Sequence, residues 1–287
     1  MTRRRLLGVF AHPDDESFGS GGMLAKYAQE GVEVHVCIVT DGATGSVAAD
    51  AASVQDGPQS LAELRRHELA CACQVLGVQL HTLGYRDSGM EGSPDNKHPD
   101  SLYQADLDIV AQDIVRVMRE VRPQVVITHD PSGGYFHPDH IRVNHAVRRA
   151  WAAVDDATVY PLLRAEISEP WHPDRLYYAV VPRSALRLYV LILRLQGKDP
   201  AHYGRQGDVD LTQVGTPGKM IHVRLDVEPY LAIKQEAGAC HTSQGGGSQR
   251  ARMGPAWLLR RVNRYEHFVQ AYPEGARHHS DLFDGIA

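Results

Sequence analysis

Residues 6–30, LLGVFAHPDDESFGSGGMLAKYAQE, decide how the rest of this chain is read. Leu6 to Phe10 is a short apolar run that stops at the acidic, proline-containing loop Ala11-His12-Pro13-Asp14-Asp15-Glu16. After Gly19 to Gly22 a helix is predicted to about Glu30. Strand, polar loop and helix in that order form the opening unit of an α/β fold. Outward from it the same unit recurs. Val32 to Val39 is rich in β-branched residues and predicts a second buried strand, followed by the small, polar segment Thr40 to Gln59. Ser60-Leu61-Ala62-Glu63 has the form of a capping box that starts a helix carrying Leu61, Leu64, Leu69, Val75 and Leu76 and ending at Gly77. Val78 to Leu83 reads as a third strand, Tyr85 to Ser101 as a polar loop, Leu102 to Val121 as a helix and Pro123 to Thr128 as a fourth strand.

Strands alternating with helices of this length imply a Rossmann-like, three-layer α/β sandwich with a mostly parallel sheet and right-handed crossovers. Ligands in such sheets sit outside the carboxyl ends of the strands. After about residue 155 the alternation weakens, with strands expected near Arg175 to Val181 and Met220 to Asp226. Residues 1–155 are therefore expected to form the catalytic core, and 156–287 a smaller C-terminal part that completes the sheet and pocket within one continuous domain. Gly245-Gly246-Gly247 reads as a flexible loop that lines the site.

Composition narrows the function. The 287 residues are 43% hydrophobic and 23% charged, the balance of an ordinary globular protein. Thirty Lys+Arg against 35 Asp+Glu leave a net charge of -5, so no global positive field favours nucleic acid or an anionic membrane as a partner. Leu188 to Leu193 is too short to span a bilayer, and Leu6 to Ala11 after Thr2-Arg3-Arg4-Arg5 is too short for a signal peptide, so a cytoplasmic protein is expected. Cys37, Cys71, Cys73 and Cys240 suit neither a disulfide framework nor a CxxC zinc site and are expected to be reduced thiols. The 16 histidines are the oddity, because neutral imidazole is the commonest metal ligand. His278 and His279 read as surface residues.

Two clusters carry the chemistry. His12 and Asp15, at the end of the first strand, can supply two of the three protein ligands a catalytic zinc usually takes, while Asp14 faces a reacting water. The competing reading is that these acids only cap the following helix. Tyr135-Phe136-His137-Pro138-Asp139-His140 follows the fourth strand and falls at the same sheet edge. Pro138 suits the first position of a helix, which puts His137 near its N-cap and His140 one turn on. One histidine can bind metal while the other faces substrate, and Asp139 can hold a histidine in one tautomer. Gly133-Gly134 points to a loop that approaches something closely.

AHPDDE at 11–16 together with HPDH at 137–140 resembles the LmbE-like, or PIG-L, superfamily of zinc-dependent N-deacetylases and amidases, most clearly over residues 5–150. The resemblance implies that His12, Asp15 and His140 bind zinc and that Asp14 is the general base. It also implies that His137 stabilises the oxyanion with Asp139 as its orienting partner, and that Tyr135 contacts substrate and helps polarise the amide. Arg65 and Asp87 match sugar-contacting residues, and Cys240-His241-Thr242-Ser243-Gln244 is similar to the family's C-terminal segment, with Gln244 toward substrate. From the residues alone, Arg65 is equally a helix-surface charge, Asp87 a turn residue and Gln244 a solvated side chain. A glutamate common after the second strand in sugar-thiol enzymes is replaced here by Thr40-Asp41-Gly42-Ala43-Thr44-Gly45, so the contact it makes is either absent or supplied by Asp41.

The implied reaction is hydrolysis of the N-acetyl group of an N-acetylglucosamine-type sugar or glycoside, a small-molecule partner. The alternative is an amidase cleaving sugar-thiol S-conjugates. Fe2+ suits the same donors as Zn2+. A homo-oligomer is left open. A nucleotide-binding oxidoreductase is the distant alternative, but Gly19-Ser20-Gly21-Gly22 is not GxGxxG. A purely structural metal module would favour four protein ligands with no open position.

Overall fold

The structure, a computed structural model, describes residues 3–45, 47, 58–156, 158–160, 171–203, 207, 209–247, 263–275 and 278–286. Its first half runs β1 (Arg5–Phe10), α1 (Asp15–Phe18), α2 (Gly21–Gln29), β2 (Glu33–Thr40), α3 (Pro58–Leu76), β3 (Gln79–Tyr85), α4 (Leu107–Val121) and β4 (Val125–His129). Then come α5 (Gly133–Phe136), α6 (Pro138–Ala153), β5 (Arg175–Val180), α7 (Arg183–Leu195), β6 (Val223–Asp226), α8 (Leu231–Cys240) and β7 (Tyr265–Tyr272). The seven strands form one sheet in the order β3-β2-β1-β4-β5-β7-β6, with β3 to β5 parallel and β7 antiparallel to both of its neighbours.

Alternate side chains of the central strands enter opposite layers, so parallel strands covered on both faces read as continuous apolar runs. Leu6, Phe10, Val36, Ile38 and Ile127 pack with Met23, Leu24 and Tyr27 of α2 and Leu69 and Leu76 of α3. Leu7, Val9, Cys37, Val39 and Val126 pack on the other side with Val110, Ile114 and Met118 of α4 and Val143 and Val147 of α6. The chain leaves β1 toward β2 on one side and returns to β4 on the other. The crevice between β1 and β4 is the switch point where such sheets place ligands.

Several expectations are corrected. The helix of α3 begins at Pro58, two residues before the expected capping box, and α4 begins at Leu107 behind Asp106, whose side chain accepts from the Asp108 N–H. Part of the segment 40–59 lies outside the described residues. β7 escapes a search for apolar alternation because Glu266 and Gln270 share its buried face with Phe268. Glu266 accepts from Gly22 N (3.0 Å), Met23 N (2.8 Å) and Lys234 Nζ (2.6 Å), tying β7 to the start of α2. Gly22 thus serves close packing: a Cβ there would lie 2.7 Å from Val227. Gly246 is not a loose loop residue, since its N–H donates to the His241 carbonyl (2.9 Å) and a Cβ there would lie 1.9 Å from the Gly238 oxygen.

Cys71 and Cys240 form a disulfide across 169 positions, with Cα atoms 5.9 Å apart. The expectation of four reduced thiols therefore fails: spacing along the chain says nothing of two helices, α3 and α8, packed side by side. Cys37 and Cys73 are free and buried. No helix among the described residues is long and apolar enough to cross a membrane.

Candidate active site

The loop after β1 and the loop after β4 meet at the switch point. The Ala11 N–H donates to Nε2 of His129, the last residue of β4 (3.0 Å), and the His12 N–H donates to Asp15 Oδ2 (2.9 Å). Pro138 opens α6 as the sequence predicts, with His137 as its N-cap.

Three donor atoms converge there. His12 Nδ1 lies 3.1 Å from His140 Nε2, and Asp15 Oδ2 lies 3.6 Å from the first and 3.4 Å from the second. A tetrahedral ion with ligands at 2.0–2.1 Å sets its donor atoms about 3.3 Å apart, so the triangle has the size of a zinc site. The hydrogen-bond network assigns both tautomers. His140 donates from Nδ1 to the Gly133 carbonyl (3.1 Å) and His12 donates from Nε2 to Asp139 Oδ2 (3.2 Å). Both remaining lone pairs face each other and the Asp15 carboxylate, an arrangement that calls for a cation between them. Burial alone would lower the His12 imidazole, but Asp87, with Asp139 and Asp15, overrides it and raises its pKa. Burial lowers that of His140 against the pull of Asp15. The Asp15 carboxyl stays well below its usual range, since His140 and His129 outweigh its burial.

Other combinations bring donors within 4.8 Å: His12, His137 and His140; Asp15, His129 and His140; His12, Asp87 and Asp139. Two of the histidines in them are already committed. His137 Nδ1 accepts the Asp139 N–H (3.2 Å), so the neutral ring carries its proton on Nε2 as a donor. Burial, helped by His12, pushes the His137 pKa down to about 4, which keeps that ring neutral. His129 Nε2 is occupied by the Ala11 N–H. Asp139 therefore orients His12 with its carboxylate and meets His137 only through its backbone, a correction to its expected partner. Its carboxylate also accepts from Ser88 N (2.9 Å).

Beside the triangle lies a cavity of about 330 Å³ lined by His12, Asp14, Arg65, Asp87, Tyr135, His137 and Gln244, with Thr44, Met90, Ser93 and Val209 among its other walls. Asp15, His140 and Asp139 do not line the cavity but each meets His12, which does, so the expected site residues are brought together. Asp14 takes an unusual backbone, φ 119° and ψ -27°. Burial pushes its carboxyl up to about 7 against the opposing Arg65 guanidinium. Arg65 is only 2% exposed and is largely spent on the protein, donating to the Pro13 carbonyl, to Asp14 Oδ2 (3.1 Å) and to the Gly42 carbonyl (2.9 Å). Burial favours the neutral acid of Asp87, but His12 and the Gly89 N–H hold it ionised. Burial keeps the Tyr135 phenol protonated. Asp41 does not replace a pocket glutamate: its Oδ1 accepts from Ala43 N (2.9 Å) and Asp87 N (3.0 Å).

Sequence reasoning missed His129, Glu16 and Glu68. His129 carried a usable signal, standing next to Thr128 at the end of the fourth strand. Glu68 gave none, being one more acid on a helix.

An open α/β sheet whose switch point gathers two oriented imidazoles and a carboxylate defines an α/β protein with a side-chain group that could hold a metal. The family model of PIG-L, described as GlcNAc-PI de-N-acetylase, matches residues 7–151, and the chain belongs to that family. It is 39% identical over 253 residues to a 1D-myo-inositol 2-acetamido-2-deoxy-alpha-D-glucopyranoside deacetylase of Thermobifida fusca, covering 85% of this chain and 84% of the relative. It is 37% identical to the protein of the same name from Acidothermus cellulolyticus, covering 99% and 95%. Among solved structures, N,N'-diacetylchitobiose deacetylase from Pyrococcus horikoshii shares the fold, with a TM-score of 0.63 and 20% identity over 100% of this chain and 87% of that one.

Proposed function

We propose that this protein is a zinc-dependent N-deacetylase that hydrolyses the acetamide of an N-acetylglucosaminyl glycoside, with an inositol-type aglycone favoured by the names of its relatives. The observation that carries the reading is the pair of imidazole lone pairs, His12 Nδ1 and His140 Nε2, facing Asp15 beside the Asp14 carboxylate. His12, Asp15 and His140 would hold the metal. When bound, zinc acidifies water and polarises a carbonyl as a Lewis acid.

The chain's own residues supply the rest. Asp14 accepts a proton from the attacking water and returns it to the departing amine, so amide and water become amine and acetate. His137 donates from Nε2 to the carbonyl oxygen as negative charge develops on it. The protonated Tyr135 phenol is a second donor on the same wall. Asp87 and Gln244 face the sugar, and Arg65 acts chiefly by holding Asp14. Residues 156–287 belong to the same catalytic unit, a reading supported by Val209 and Gln244 in the cavity wall.

The test pairs metal content by mass spectrometry with fluorescamine detection of free amine from N-acetylglucosaminyl inositol and from free N-acetylglucosamine. Near-stoichiometric zinc with faster amine release from the inositol glycoside is expected. Release only from cysteinyl-amide sugar conjugates would replace the deacetylase with an amidase, and failure to bind any divalent metal would overturn the site.

A further inference from the structure

Asp14 keeps a left-handed backbone, φ 119°, that an L side chain adopts only where its surroundings impose it. Arg65 grips its carboxylate. Its own N–H donates to Glu16 Oε2 (2.9 Å). The other oxygen of Glu16, Oε1, accepts from His241 Nε2 (2.6 Å) and from Ser17 Oγ (2.5 Å). Glu16 and His241 are both 0% exposed, although 225 positions separate them. Asp14 N and Ser17 Oγ are local donors to Glu16, whereas His241 is its long-range partner, and weakening the set around a buried carboxylate is disfavoured.

His241 is itself fixed. It caps α8, and the two residues after it bind α3: Thr242 Oγ1, Ser243 N and Ser243 Oγ donate to Glu68 at 2.7, 2.7 and 2.6 Å. Glu68 stands one turn beyond Arg65 on the same helix face, so α3 braces Asp14 from both sides, directly through Arg65 and indirectly through the 241–243 segment.

We propose that His241 is a positioning residue for the reaction, acting through Glu16 to hold the Asp14 backbone so that its carboxylate is presented to the cavity. The inference rests on Asp14 being the base in the proposed deacetylase.

The test compares His241→Gln, whose amide nitrogen reaches the place of imidazole Nε2, with His241→Asn, which is one methylene too short. A displacement of about 1 Å at a reacting group costs about 10²-fold, so His241→Asn lowers kcat by about that factor, and His241→Gln recovers most of it. KM stays within about twofold in both, because the sugar contacts are intact. Zinc content is unchanged. In crystal structures Asp14 leaves φ 119° in His241→Asn and keeps it in His241→Gln. If His241→Asn does not fold, His241→Met, of similar volume and without a donor, takes its place. Wild-type kcat in His241→Asn, or in His241→Met where that takes its place, or an unmoved Asp14 backbone, overturns the proposal. If the wild-type enzyme releases no amine from any acetylated amino sugar, the deacetylase reading fails separately, and the Asp14 backbone in the two crystal structures still decides whether His241 positions it.

Discussion

The Asp139 carboxylate lies 3.2 Å from Nε2 of His12, a residue 127 positions away, and not against His137 two residues before it. One aspartate therefore selects the tautomer of a histidine in the candidate metal site. Asp139→Asn is expected to weaken zinc binding by about 10–100-fold, measured by chelator competition. Unchanged affinity would remove Asp139 from that role.

Of the two carboxylates that line the cavity among the described residues, Asp14 and Asp87, burial pushes Asp14 up to about 7. Only its ionised form accepts a proton, so activity declines as pH falls through its pKa; a bound cation moves that midpoint below 7. Asp14→Ala should cut kcat by about 10²–10⁴-fold with zinc content unchanged. Retained turnover would refute the base assignment.

Arg65 lowers the Asp14 pKa against burial. Removing its charge in Arg65→Met should therefore move the acid limb of the kcat/KM profile to higher pH. A limb that stays where it was would mean that another group sets it.

The Cys71–Cys240 link closes a span of 169 positions. Chain-entropy arithmetic puts the ceiling for such a loop at about 5 kcal/mol, and Cys71→Ser should lose roughly 2–5 kcal/mol in urea unfolding. Thiol titration of the unfolded, unreduced protein should find Cys37 and Cys73 alone; four reactive thiols would contradict the link.

His267, on β7 opposite Arg224, is pushed down to about 4 by burial and by that guanidinium. The unfolded imidazole titrates near 6.5, about the ordinary value, so between those two pH values the unfolded chain binds more protons. The stability from keeping His267 neutral is complete above that window and is lost as pH falls through it. His267→Gln should flatten this part of the urea stability profile, and a profile identical to wild type would assign the acid sensitivity elsewhere.

The layers and the site's location were legible because strands buried on both faces read as continuous apolar runs, and a parallel sheet sends its strand ends to one edge. His12, Asp14 and Asp15 could be picked out because they follow β1 directly, and His137 and His140 because they open α6 in the connection that follows β4. Polar residues turned inward hid β7, and Glu68 looked like any helix-surface acid.

From the sequence by itself follow the α/β alternation, the common edge of the two histidine-acid loops, the proline start of α6 and the resemblance to a deacetylase family. Only the tertiary structure decides that Asp139 serves His12, that Arg65 is spent on Asp14, that Cys71 joins Cys240, and that His241 reaches Glu16. The physical reason is range. Periodicity and capping are set by neighbours within a turn or a strand, whereas each of these contacts depends on how elements far apart in the chain pack against one another, which no local pattern encodes.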